Sequence, residues 1–397
     1  MNLEWLVVGG GIHGVHMAVR LLADRGINPD GLRIVDPEET LLNRWKACTE
    51  ATGMTHLRSP AVHHLDLDPF SLKKFAGKKK NKKLGAFSPP FDRPALRLFN
   101  AHCDDVIRTY GLEKCHVKAR AMESKIDCDG VSVSLSTGDT IVAQNVVLAI
   151  GAGDAPEWPT WAPRGHARIS HVFSTDFEPP SLEAEAVAVV GGGISAAQVS
   201  LRFMREGHTV HLISRHVPRK HQFDSEPGWL GPKLMRGFSA EKDLDVRRAT
   251  ITDARHRGSL PPDVWRAFHR AMDQKQMHWH QTEVDTLEDA STQLNLHLKS
   301  EASLNVQRVV LATGFSTQRP GGRFVDSLIE SMQLPCAQCG YPMVTEGLRW
   351  HPRVYVAGPL AELELGPTAR NIAGARRAGD RIMNELAAQA ELSRKAS

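Results

Sequence analysis

Six cysteines in 397 residues are too few and too scattered for a disulfide framework, which predicts a reducing, cytoplasmic setting. No run of about 18 apolar residues exists, so no membrane span is expected. The chain enters an apolar strand almost at once, without a basic segment and apolar core before it, so no signal peptide is expected. Charge of one sign is also scarce. The 49 Lys and Arg stand against 45 Asp and Glu, a formal net of +4, and such a balance does not call for nucleic acid. No Ser-His-Asp set or carboxylate pair stands out, and no His and Cys cluster has the spacing of a metal site. The hydrophobic content of 41% is ample for buried cores, and a chain of this length predicts two domains, or one inserted in another.

Two glycine-rich turns carry the most information. The first is Val7-Val8-Gly9-Gly10-Gly11-Ile12-His13-Gly14. Gly9 permits the tight turn, Gly11 lets the backbone approach a diphosphate, and Gly14 lets the following helix pack closely on the strand. Ile12, Val15, Ala18, Val19 and Leu22 then recur at helical spacing until Gly26. The helix N-terminus offers free N–H groups and partial positive charge to phosphate oxygens. A second apolar run, Leu32 to Val35, ends at Asp36, where an acid is placed to hydrogen-bond ribose hydroxyls.

The second turn is Val189-Val190-Gly191-Gly192-Gly193-Ile194-Ser195-Ala196. Ala196 replaces the third glycine and still allows close packing. The following strand, His208 to Ile213, ends in Ser214-Arg215 instead of an acid, with Arg219 and Lys220 beyond it. An arginine there suits a 2′-phosphate, which an acid would repel. The residues therefore predict FAD at the first turn and NADPH at the second; an Arg215 standing in solvent would leave NADH as the alternative. Two dinucleotides facing each other imply electrons passing between them.

The predicted fold class is α/β, two Rossmann-like domains with the NADPH domain inserted in the FAD domain. The expected boundaries are 1–165 and 305–397 for FAD and 166–304 for NADPH. Val146 to Gly151 and Val309 to Gly314, through Thr313, are matching apolar strands opening into glycine, expected where the chain passes between domains. A helix is expected from Pro94 to Tyr110. Another is expected from about Thr368 to Ala388, after the strand Val354 to Val356, Gly358 and Leu365-Gly366-Pro367. The segment Ser225 to Pro262 reads as irregular. The lysine run from Lys73 to Lys83 reads as a solvated, mobile loop or as a surface for an acidic carrier protein. His63-His64 and His278-Trp279-His280 read as packed or surface histidines. Cys336-Ala337-Gln338-Cys339 reads as surface thiols, with redox or metal roles as alternatives.

Together these marks resemble the two-dinucleotide-binding flavoproteins, and within them the flavin-dependent N-hydroxylating monooxygenases of the lysine/ornithine type and the flavin monooxygenases. The resemblance rests on Gly9, Gly11, Gly14 and Asp36, on Leu42-Asn43-Arg44-Trp45, on Gly191, Gly193, Ala196 and Arg215, on Ala312-Thr313-Gly314, and on Gly358 and Gly366-Pro367. It implies that Trp45 borders the flavin and that Gly151, Ser195 and Thr313 lie at the cofactors. It also implies that Gly358, Gly366 and Pro367 close over the ring, and that Arg58 or Ser59 hydrogen-bonds it, Arg58 as a structural loop residue being the alternative. The implied activity is oxygenation, with O2, of an amine nitrogen or a sulfur of a small molecule through a C4a-hydroperoxyflavin. The segment Gly165 to Phe177 departs from the Gly-xxx-His-xxx-aromatic pattern in spacing, which weighs against Baeyer–Villiger chemistry. The disulfide reductases place a redox cysteine pair beside the flavin and end the last FAD strand in Gly-Asp. Here no pair is so placed and the strand ends Gly358-Pro359. The alternative function is an NADPH-dependent flavoprotein reductase for a quinone, disulfide or electron carrier.

Overall fold

The structure is a computed structural model that describes residues 3–126, 130–153, 155–180 and 183–396. Two parallel sheets dominate it. In the first, the strand Leu3–Val8 pairs in parallel with Leu32–Asp36 on one side and Thr140–Leu148 on the other. His116–Lys118 extends one edge and Val354–Val356 the other. Leu6, Val7, Leu32, Ile34, Val147 and Leu148 are fully buried, as near-continuous apolar strands must be when both sheet faces are covered. The helix Ile12–Arg25 packs against the C-terminal helix Ile372–Ala396. Gly26 ends the former in the left-handed conformation, its N–H bonding to the Leu21 carbonyl.

The second sheet runs in the order His278–Gln281, Thr209–Ser214, Ala186–Val190, Arg308–Leu311, Ile169–His171, all parallel. The strand Arg308–Leu311, expected to begin the returning part of the first domain, therefore belongs to the second sheet. Its Val309, Val310 and Leu311 are fully buried between two neighbours, so the crossing falls after them and not at 305. Helices Ile194–Arg205 and Pro262–Asp273 cover one face. A three-stranded antiparallel sheet, Val284–Ala290 with Gln293–Leu298 and Ser303–Val306, covers the other.

The segment expected to be irregular is ordered. It forms a 3-10 turn Pro227–Leu230 and the helices Pro232–Ala240 and Leu244–Asp253. Near its end, Ser259–Leu260 pairs with Arg219–Lys220, which precedes the segment. Trp229, Met235, Phe238 and Ile251 bury themselves against Ala337, Tyr341 and Leu363. The lysine run is also ordered, as the helix Ser71–Gly77 and a 3-10 turn Lys79–Leu84. The helix expected over Pro94 to Tyr110 spans Leu96–Thr109. The last helix begins after its expected start at Thr368, beyond the buried turn at Gly366-Pro367.

Candidate functional site

Both glycine-rich turns lie at the C-terminal ends of their central strands, where nucleotides bind in open α/β sheets. In the first, Gly9 has φ +110°, and a Cβ on it would stand 2.6 Å from the Ala149 carbonyl oxygen. A Cβ on Gly14 would stand 1.7 Å from the Gly9 carbonyl oxygen. A Cβ on Gly11 would meet nothing within 4 Å. The outer two glycines thus weld the helix to the strand, and the middle one leaves an open cradle. The second turn repeats the pattern. Gly191 has φ +150° and its Cβ would lie 2.3 Å from the Ala312 carbonyl oxygen, while Gly193 again faces open space. Ala196 is fully buried and fills the place that Gly14 must leave empty.

Asp36 accepts hydrogen bonds from the Gly10 N–H at 2.5 Å and the Glu38 N–H at 2.9 Å. Burial raises its pKa, and the two N–H groups oppose that rise. The acid therefore fixes the turn. The Trp45 indole donates to the Asn100 side-chain oxygen at 3.0 Å and tilts against Phe99. Gly151 is exposed at the end of the Thr140–Leu148 strand. Thr313 donates to the Glu157 carbonyl and lies 3.1 Å from His171. Gly314, at φ +91°, accepts from the Glu157 N–H.

The segment from Gly358 to Pro367 is buried throughout. Gly366, at φ +75°, lies against the Met235 sulfur, and the Pro367 carbonyl accepts from Arg255 at 3.0 Å. Glu362, fully buried, holds this segment down. It accepts from Arg370 at 2.6 and 3.0 Å and from Arg248, with Arg255 at 3.8 Å. Burial pushes the Glu362 carboxyl up, but Arg370 and Arg248 outweigh it and hold the group ionised below its ordinary range. Nothing in the sequence marks Glu362, because its partners are scattered along the chain.

At the second turn, Arg215 follows the strand Thr209–Ser214 with its side chain 70% exposed and its Nε 3.5 Å from Glu283. Ser195 is half-buried in the first turn of its helix. The sequence does not reveal Gly258, at φ +70°, whose Cβ would lie 3.3 Å from the Gly192 carbonyl oxygen. It brings the strand pair carrying Arg219 and Lys220 over the second turn. The sequence also passes over His13, buried with its ring against Gly358 and neither ring nitrogen hydrogen-bonded. Burial holds its pKa down at about 4, although the nearby Arg370 backbone favours the charged form.

Arg58, expected at the flavin, is committed elsewhere. Its guanidinium donates to the carbonyls of Gln222 at 3.0 Å and His221 at 2.8 Å and to the Ser259 hydroxyl at 3.1 Å. It clamps the first domain to the strand pair over the second turn, and half-buried Ser59 shares none of these bonds. Arg202 makes a similar tie, donating to the carbonyls of Glu50 and Ala51. Cys336 and Cys339 are half-buried in a tight loop beside Tyr341, whose ring lies under Arg248 at 4.0 Å. Burial raises the Cys336 thiol.

A family profile described as pyridine nucleotide-disulphide oxidoreductase matches residues 3–379. The chain belongs to this family. Many solved structures share the fold of this oxidoreductase, three of them as follows. The cadaverine monooxygenase of desferrioxamine biosynthesis from Erwinia amylovora has a TM-score of 0.74 at 15% identity, over 97% of this chain and 94% of that one. The ornithine hydroxylase from Pseudomonas aeruginosa has a TM-score of 0.74 at 15% identity, over 97% and 99%. The bacillithiol disulfide reductase from Bacillus cereus has a TM-score of 0.64 at 17% identity, over 98% and 100%. No curated protein sequence matches this oxidoreductase. Among the described residues, no group of three or more His, Cys, Asp and Glu could hold a metal, and no helix is long and apolar enough to cross a membrane.

Proposed function

We propose that the protein is an FAD- and NADPH-dependent monooxygenase that transfers one oxygen atom from O2 to a soft nucleophile, an amine nitrogen or a sulfur, of a small molecule. The reading rests on one observation. Both turns are built alike, with a glycine that cannot carry a Cβ beside a carbonyl and a glycine whose Cβ would meet nothing, as two diphosphates require. The residues fit the two groups. The N–H groups opening the helix Ile12–Arg25 and the space at Gly11 suit the FAD diphosphate, with Asp36 toward its ribose. The space at Gly193 suits the NADPH diphosphate, with Arg215 toward the 2′-phosphate. Bound FAD supplies the oxygen chemistry, and bound NADPH the reducing equivalents. The chain's own residues orient and shield: the Gly358 to Pro367 segment, locked by Glu362, excludes water. The fold-sharing cadaverine monooxygenase structure is bound to FAD, which supports the first assignment.

A reductase for a disulfide, quinone or electron carrier is the second reading, because the fold is shared with a disulfide reductase. The position of Cys336 and Cys339, packed beside Tyr341 and Arg248, favours the first. Rapid mixing separates them. Protein reduced anaerobically by NADPH and then mixed with O2 should show a transient absorbance belonging to neither reduced nor oxidised flavin, the C4a-hydroperoxyflavin that the resemblance implies, prolonged by NADP. Direct reoxidation with stoichiometric peroxide release, at every NADP concentration and across an amine and thiol screen, would overturn the monooxygenase reading.

A further inference from the structure

The lysine-rich turn has no part in the site described above. Lys79, Lys80, Lys82 and Lys83 are all exposed on the 3-10 turn Lys79–Leu84. None of the four makes an ion pair with the described residues, whereas Lys73 pairs with Asp92 and Lys74 with Asp68. The turn is pinned in shape. Asn81, in its middle, points inward, is buried, and donates to the Phe75 carbonyl at 2.8 Å. The four lysines between them match the chain's whole net charge of +4, so the remainder of the molecule is formally balanced. Phe70, 58% exposed, precedes the helix that leads into the turn, and Phe91, 43% exposed, follows the turn.

We infer that this face docks the protein on an anionic lipid surface. Lysine is a strongly hydrated point charge that makes no demand on geometry. Nucleic acid and protein interfaces favour arginine, and lysine is depleted in protein interfaces. A turn of exposed lysines, with exposed Phe70 before it and Phe91, its ring partly covered by Phe223, after it, instead matches peripheral membrane attachment, where charge attracts anionic headgroups and aromatic rings enter the interface. The charge elsewhere balances formally, so the turn carries positive charge equal to the whole excess.

The test is cosedimentation of the full chain with two kinds of vesicle, pure phosphatidylcholine or phosphatidylcholine with about one third phosphatidylglycerol, at low and high NaCl. Binding should occur only to the anionic vesicles and fall steeply with salt. Replacing the four lysines together by Gln should weaken binding by roughly fivefold per lysine, several hundredfold in all. A Phe70→Ser, Phe91→Ser variant should bind more weakly with an unchanged salt dependence. NADPH oxidation without vesicles should be the same in every variant, showing that each is folded. Equal binding to both vesicle types, or anionic binding unaffected by loss of the lysines, would overturn the inference. So would capture by an oligonucleotide or an acidic carrier protein without vesicle binding.

Discussion

The two glycines Gly11 and Gly14 stand three residues apart and should respond to the same substitution in opposite ways. At Gly11 the backbone is extended, φ −78° and ψ −168°, which alanine adopts without strain, and its Cβ would meet no atom. Gly11→Ala should therefore leave the apoprotein as stable or up to about 1 kcal/mol more stable, through lost freedom of the unfolded chain. Its methyl would stand where a diphosphate must approach, so FAD affinity should fall. Bound ligand at a hundredfold excess over Kd contributes about 2.7 kcal/mol. For 397 residues the unfolding entropy makes that roughly 3 °C in Tm. Gly14→Ala should do the reverse. Its Cβ would stand 1.7 Å from the Gly9 carbonyl oxygen, so helix and strand must separate by more than 1 Å, a loss of about 4–5 kcal/mol or more. The assays are flavin fluorescence titration and thermal unfolding, each with and without FAD. Unchanged FAD affinity in Gly11→Ala would place the diphosphate elsewhere. A Gly14→Ala apoprotein as stable as the parent would refute the packing argument.

Arg215→Ala should erode the preference for NADPH over NADH roughly ten- to a hundredfold, the worth of one charge-assisted pair; an unchanged preference in steady-state kinetics would clear Arg215 of the role. A Cys336→Ser, Cys339→Ser double variant should keep NADPH oxidation, and loss of turnover with FAD still bound would favour the reductase. Acid should unfold the protein. Burial holds His16 and His102 at about 3 and His13 and His63 at about 4, so these imidazoles stay neutral in the fold but take up protons below about 6.5 when it opens. Stability should be full above pH 6.5 and fall as the pH drops toward 4. At pH 5 each group costs about 2 kcal/mol, and the four together rival the whole stability of a typical domain. Urea midpoints that do not change between pH 7.5 and pH 5 would contradict this.

The two turns were legible because everything that defines them is local: strand, glycines, helix period and terminal residue follow one another in the chain. The sheet to which Arg308–Leu311 belongs was not, since a buried apolar strand looks the same in either sheet. Residues 225–262 defeated the reading for a different reason. Their Gly and Pro divide them into elements too short to show a period, and their apolar faces are completed by Ala337, Tyr341 and Leu363, some hundred residues away. The bonds of Arg58 were not legible, because Gln222 and Ser259 come to it only through the fold. The lysine run read as a mobile loop because its inward anchors, Phe75 and Asn81, are two single residues in an otherwise charged stretch.

The two crossings between the domains run side by side. Pro156 and Phe315 pair across them, the Glu157 N–H donates to Gly314, and the Ser316 N–H donates to Ala155. Alone, such a ribbon would be a single hinge. The three bonds of Arg58 and the two of Arg202 join the domains at other places, and a door pinned away from its hinge does not swing. Opening would break all five bonds together. The two nucleotide turns are thus held at a set spacing, and electrons must cross a gap of fixed width. Under the proposed function it would then fall to the nicotinamide end of the cofactor, not to the protein frame, to make the approach and the withdrawal in each turnover.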